Sequence, residues 1–161
     1  MSGMLGTGLP IAAEAFDLEV YQLPCTFAAS QELVRLSREH PGLVRVCNIF
    51  QQSEASRRLI SLAAMIRSAM DTWSATAAQH VDTPIGDFQS NTAGTEIVPL
   101  GFREACNKIL HADDIELSNP EPENNFNVLN YDVVLTGTRQ GKDWRATLTI
   151  PKFLEVASRI A

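Results

Sequence analysis

The sequence predicts an α+β domain: a long amphipathic helix and shorter helices packed on one face of a small antiparallel β-sheet that contains a C-terminal hairpin. Three observations carry that expectation. Residues 53–80 hold Leu59, Leu62, Ala63, Ile66, Met70, Trp73 and Ala77 at three- and four-residue spacing, with no Gly or Pro between them. That is the period of a helix with one apolar side. Residues 128–150 instead alternate, with Tyr131, Val133 and Leu135 and then Trp144, Ala146, Leu148 and Ile150 falling on every second position. That is the period of half-buried strands. Finally, 161 residues that are 45% hydrophobic and 20% charged fit one globular domain whose core needs no metal or disulfide staple.

Taken in chain order, residues 1–13 carry Gly3, Gly6, Gly8 and Pro10 without apolar periodicity and predict a flexible lead-in. No strand precedes those glycines and no Lys-Ser/Thr follows them, so they do not form a phosphate loop. Phe16, Leu18 and Val20 alternate with Asp17, Glu19 and Tyr21; that predicts a strand over 16–22, closed by Pro24 and available to the sheet. Ser30, Gln31 and Glu32 open a short helix with Leu33 and Leu36 on its inner side, and His40-Pro41-Gly42 stops it. No breaker separates the apolar run 43–50 from the long helix, so it too reads as helix. Residues 81–99 contain Asp82, Pro84, Gly86, Asp87, Asn91, Gly94 and Pro99. Such a connector is long for a compact domain; it is mobile, functional, or hides a short hairpin with 95–98 as one strand.

Phe102, Ala105, Cys106, Ile109 and Leu110 give 100–112 a helical apolar side. Ile115 and Leu117 suggest a short strand, and 119–127 a polar loop. Gly141 suits the left-handed position of the hairpin turn. Pro151 opens a closing helix, where its missing N–H costs nothing. Trp144, Leu148, Val133, Ile66, Met70 and Ile109 are the expected core. No internal repeat or second domain is apparent.

Composition also bounds function. Thirteen basic against nineteen acidic residues give −6, which disfavours RNA or another polyanion as partner. Met1–Ala13 lacks the basic start and continuous apolar run of a signal peptide, and no stretch is long enough to span a bilayer. An odd set of widely spaced cysteines, Cys25, Cys47 and Cys106, fits reduced thiols. A cytoplasmic location away from membranes is therefore expected.

The 100–112 helix carries the one candidate site. Arg103, Asn107 and His111 recur every four residues, near one face of the helix. In such a set His111 can move a proton, Asn107 can orient, and Arg103 can meet developing negative charge. The stretch Asn107-Lys-Ile-Leu-His111, following a long amphipathic helix, resembles the motif of HEPN (higher eukaryotes and prokaryotes nucleotide-binding) ribonuclease domains. The family pattern is Arg, a polar residue that is often Asn, three residues, then His. The resemblance covers two helices. It implies a metal-independent ribonuclease with His111 as base and Asn107 as its polar companion, and two chains pairing at a shared RNA-cutting cleft. The family's arginine falls here on Cys106, with Arg103 a turn earlier.

Other chemistries lack their residues. His111, Asp113 and Asp114, even with His80 and Asp82, do not follow zinc or calcium spacing, so no metal or other cofactor is expected. Cys106 and His111 lie about 140° apart around the helix and cannot form a Cys–His pair. Arg139, Lys142 and Arg145 gather near Trp144, a composition that can stack on a nucleobase, although the alternation of Trp144 with Ala146 and Leu148 points its ring inward. The incomplete catalytic set favours a non-catalytic module that binds a second copy of itself or another protein.

Overall fold

The structure, a computed structural model, describes residues 13–70, 78–121 and 126–160. Within them lie four helices and a five-stranded antiparallel sheet. The glycine-rich start, Trp73 and Ala77 of the helical stripe, and 122–125 of the polar loop lie outside the described residues.

Helix α1 spans Ala13–Glu39 and α2 spans Gly42–Ala69. The expected strand over 16–22 is instead the first turns of α1. The longer register explains why: Phe16, Val20, Leu23, Phe27, Ser30, Val34 and Ser37, spaced four and three apart, form the inward side. A seven-residue window catches Phe16 and Val20 in both patterns, but Leu18 is left outside, 51% exposed. Pro24 does not close the segment; it sits inside the helix, at the cost of one backbone hydrogen bond. Burial of Leu23 and Phe27, each contributing about 2 kcal/mol, offsets that loss. Phe27 also stacks on Tyr131, with ring centroids 5.5 Å apart.

His40-Pro41-Gly42 does break the chain, with Leu43 N–H donating to the His40 carbonyl at 2.9 Å. Helix α2 then runs back along α1. Cys47, Gln51, Ala55, Leu59, Leu62, Ala63 and Ile66 are its buried side. Arg58 is largely covered: it bridges Glu54 at 2.8 Å and Glu19 of α1 at 3.3 Å, and donates to Gln22. It thereby ties the two helices together. Buried Ser30 accepts a hydrogen bond from Leu129 N–H at 2.9 Å, and Gln51 donates to the Asn127 carbonyl, so the helical pair is pinned to the sheet by polar contacts as well as by packing.

The connector does hide a hairpin, but its second strand is not 95–98: residues 95–97 are outside it and only Val98 is shared. Strand β1 is Pro84–Gln89 and β2 is Val98–Gly101, followed by α3 (Phe102–His111), β3 (Asp114–Glu121), β4 (Phe126–Arg139), β5 (Lys142–Thr149) and α4 (Ile150–Ser158). The strand order is β2-β1-β5-β4-β3. The breakers in β1 have a structural use. Pro84 stands at the strand start, where no ladder donor is needed. Gly86 sits so close to β5 that a Cβ there would lie 1.9 Å from the Thr147 carbonyl oxygen. The polar loop expected at 119–127 is partly strand, because β3 and β4 continue pairing from Ser118 with Leu129 to Glu121 with Phe126.

The four described helices lie on one face of the sheet. Ile85, Leu100, Leu117, Val133, Leu135, Trp144, Ala146 and Leu148 point into that layer and pack on Leu62, Ile66, Ile109 and Phe153. All six expected core residues are buried. The other face is a polar plane. Asp87, Thr147, Val134 and Glu116 stand in one cross-strand row, and Arg145, Thr136 and Asp114 in the next.

The β4–β5 turn places both Gln140 (φ 52°) and Gly141 (φ 74°) in the left-handed region, which suits the right-handed twist of a two-residue hairpin. Only the glycine adopts it without strain. In urea denaturation Gln140→Asn should therefore raise stability by about 0.5–1 kcal/mol. Gly86→Ala should lower it by about 3 kcal/mol, because the Cβ must push β1 off β5. Unchanged midpoints for both variants would contradict this account of the β4–β5 turn and of the close β1–β5 approach.

Candidate functional site

Helix α3 is set by its neighbours rather than by a side-chain cap. Its first free amides are satisfied by loop carbonyls, Phe102 N–H by Thr83 at 3.0 Å and Arg103 N–H by Val81 at 2.9 Å, which meets the demand of a helix start. Phe102, Ala105, Cys106 and Ile109 then face the core, with Phe102 against Phe153 at 5.1 Å between centroids. At the far end Asp113 N–H donates to the Thr136 carbonyl at 2.8 Å, and the Asp113 carboxylate accepts from Thr138 N–H at 2.9 Å. These bonds bring the end of α3 beside the tip of the β4–β5 hairpin.

A cleft of about 540 Å³ lies between them, lined by Glu104, Asn107, Lys108 and His111 of α3, Thr138 and Arg139 of β4, and Trp144 of β5. Positions 104, 107, 108 and 111 share a helical face. The three sequence candidates therefore divide. Asn107 and His111 meet in this cleft, whereas Arg103 is exposed and is not part of its lining. Arg139 is the guanidinium that the fold brings to the cleft instead. Asn107 is committed within α3, its Nδ2 donating to Glu104 at 3.2 Å. Among the described residues no hydrogen bond joins His111 to Asn107 or to either arginine. Cys106, which holds the arginine position of the family pattern, is fully buried on the opposite side of α3.

The best-defined feature of the cleft is Lys108, which sequence reading passed over. Its side chain is buried, with Nζ 3.3 Å from Glu104 and 4.3 Å and 4.5 Å from the ring centroids of Phe88 and Trp144. An ammonium over two aromatic faces is held by their quadrupoles, and Glu104 supplies the neutralising charge. Gly137 makes room for this arrangement. It pairs with Trp144 across the strands, and a Cβ there would lie 2.4 Å from the indole. The available signal was Glu104 and Lys108 at i, i+4, but nothing local says that Phe88 joins them. Trp144 is covered by this packing and cannot stack on a nucleobase. Arg145 points to the opposite sheet face, where it lines a shallow depression with Asp87, Gln89 and Thr147, so the basic hairpin-tip cluster is split in two.

Among the described residues no group of three or more His, Cys, Asp or Glu side chains is placed to hold a metal ion. No helix among them is long and apolar enough to cross a membrane. Burial pushes the Cys106 thiol from its ordinary 9.0 up to about 12, so it is not a thiolate nucleophile at neutral pH. Neither a protein-family model, nor a curated protein, nor a solved structure matches the chain.

The thiol makes an alkaline-stability prediction. Unfolded, Cys106 ionises near pH 9; folded, it stays protonated to about pH 12. A raised folded value means its contribution is complete below pH 9 and is lost as the pH climbs toward 12. The loss is about 1.4 kcal/mol by pH 10. Measured by urea unfolding at pH 8 and pH 10, the stability gap between wild type and Cys106→Ala should narrow by that amount. A gap independent of pH would contradict the buried, protonated thiol.

Proposed function

We propose that the protein is a non-catalytic interaction module that self-associates through the outward side of α2. One observation carries this reading. At about 100° per residue, the buried residues of α2 from Cys47 to Ile66 occupy one half of the helix; the other half has Leu43, Val46 and Phe50 as the self-association stripe, with Ile49 and Ile60 at its flank, where they line the groove toward β3. These five are 38%, 45%, 63%, 50% and 40% exposed. Over its first turns that outward half is apolar, before Ser53, Glu54 and Arg57 take it over, and an exposed apolar strip of this kind marks a contact surface. Leu43, Val46 and Phe50, at i, i+3 and i+7, present a stripe that a two-fold axis can place against its own copy. The free thiols of Cys25, Cys47 and Cys106 suit a reducing compartment such as the cytoplasm.

Light scattering of the wild type should give twice the chain mass. The double variant Val46→Asp with Phe50→Asp should give a monomer with an unchanged far-ultraviolet circular dichroism spectrum. A wild type that stays monomeric at its highest soluble concentration would contradict the reading.

A second reading, a HEPN-like metal-independent ribonuclease, is favoured by Asn107 and His111 lining one cleft together with Arg139. In that reading His111 transfers the proton and Arg139, not Arg103, meets the phosphate charge. Cleavage of single-stranded RNA in the presence of a chelator should fall at least tenfold, or about 1.4 kcal/mol in barrier, in His111→Ala and persist in Arg103→Ala. Equal cleavage by wild type and His111→Ala, or none by either, removes it.

A further inference from the structure

We propose that the groove between α2 and the start of β3 binds an extended peptide of another protein in which basic residues alternate with β-branched ones, laid beside the free edge of β3. This rests on the interaction reading above and names a partner's chemistry.

The groove is a shallow, open trough of about 530 Å³. Ile49 and Ile60 of α2 and Ile115 of β3 supply its apolar wall, Gln52 its polar middle, and Asp113 and Asp114 one acidic end. No Lys or Arg lines it. Strand β3 ends the sheet, so one side of its backbone has no strand neighbour among the described residues, and such an edge is a template for one more strand.

The two faces of β3 differ in chemistry. Ile115 and Leu117 point into the helix layer, whereas Asp114 and Glu116 stand on the open polar face and pair with no cation among the described residues. Successive side chains of an added strand alternate between the same two faces. Its inner residues would meet Ile49, Ile60 and Ile115; its outer residues would meet Asp114 and Glu116. Apolar inside and basic outside is the composition that satisfies both. The same carboxylates repel acidic β edges and would be desolvated without a counter-charge by uncharged ones, so they select among partners as well as attract one.

The test uses fluorescence anisotropy with a labelled heptapeptide of alternating Lys and Val. Two controls accompany it: a peptide of the same composition with the lysines in one block, and an alternating Glu and Val peptide. The wild type should bind the alternating Lys-Val probe at least roughly tenfold more tightly than either control. Ile60→Glu and Asp114→Lys should each weaken it by a similar factor. Asp114 is exposed, so its variant keeps the test valid should Ile60→Glu unfold. Val46→Asp with Phe50→Asp, on the neighbouring stripe, should bind the probe as the wild type does; failure of self-association and failure of peptide capture are thus read separately. Equal affinity for the blocked peptide, no effect of Asp114→Lys, or no binding at ~100 µM overturns the proposal. Binding confined to the monomeric double variant assigns the groove to a second copy of the chain and also overturns it.

Discussion

Helix α2 is packed from one side by α1, α3 and the sheet, and most other features of the molecule follow from that placement. Leu59, Leu62, Ala63 and Ile66 fill the centre of the core cluster, and Arg58 ties α2 to α1 through Glu19 and Gln22. With the four described helices on one face of the sheet, the opposite face is left to solvent, where Asp87, Thr147 and Glu116 stand in one row with Val134. The outer half of α2 is left facing solvent with five large apolar side chains. Burying that strip would contribute favourably to any association that covers it. The interaction reading and the peptide groove both rest on one helix having more apolar surface than the described residues cover.

Much of this fold was legible in the sequence because its period was long and uninterrupted. The three-four spacing from Leu59 to Met70 spans several turns and admits one interpretation. The alternation through Val133, Leu135, Trp144, Ala146 and Leu148 likewise gave the hairpin, its inward face and its core. Segment 16–22 misled because a short window holds too few residues to separate a period of two from one of three and a half. Leu18 satisfied the strand pattern and violated the helical one, and only the continuation through Leu23, Phe27 and Val34 decides between them. Pro24 reinforced the error, since a buried apolar face can hold a helix across a proline that local rules would place at its end. Strand β1 was hidden for the opposite reason: Gly86 looks like a break locally and is in fact demanded by the approach of β5.

The site was legible only along α3. Asn107 and His111 share a helical face, and the cleft gathers them as that spacing requires. Arg103, although in step by sequence, lies too far round toward solvent. The residues that complete the cleft come from elsewhere in the chain: Phe88 from a strand read as connector, and Thr138 and Arg139 from the hairpin tip. Lys108 was missed because a lysine beside an apolar position ordinarily carries its charge to water. Here two rings and one carboxylate hold it inside. Cys106 occupies the arginine position of the HEPN-like pattern yet faces the core, which places the cleft's guanidinium on β4 rather than on the motif helix.

The central claim is that the outer half of α2 is a covered surface in the working protein. Hydroxyl-radical footprinting across a dilution series reads that most directly, because it reports side-chain exposure residue by residue. Phe50, Val46 and Leu43 should lose reactivity as protein concentration rises, while Tyr21 on α1, 69% exposed, should react equally throughout. Reactivity of Phe50 that is high and constant across the series would show the strip bare, and the account built on it would not stand.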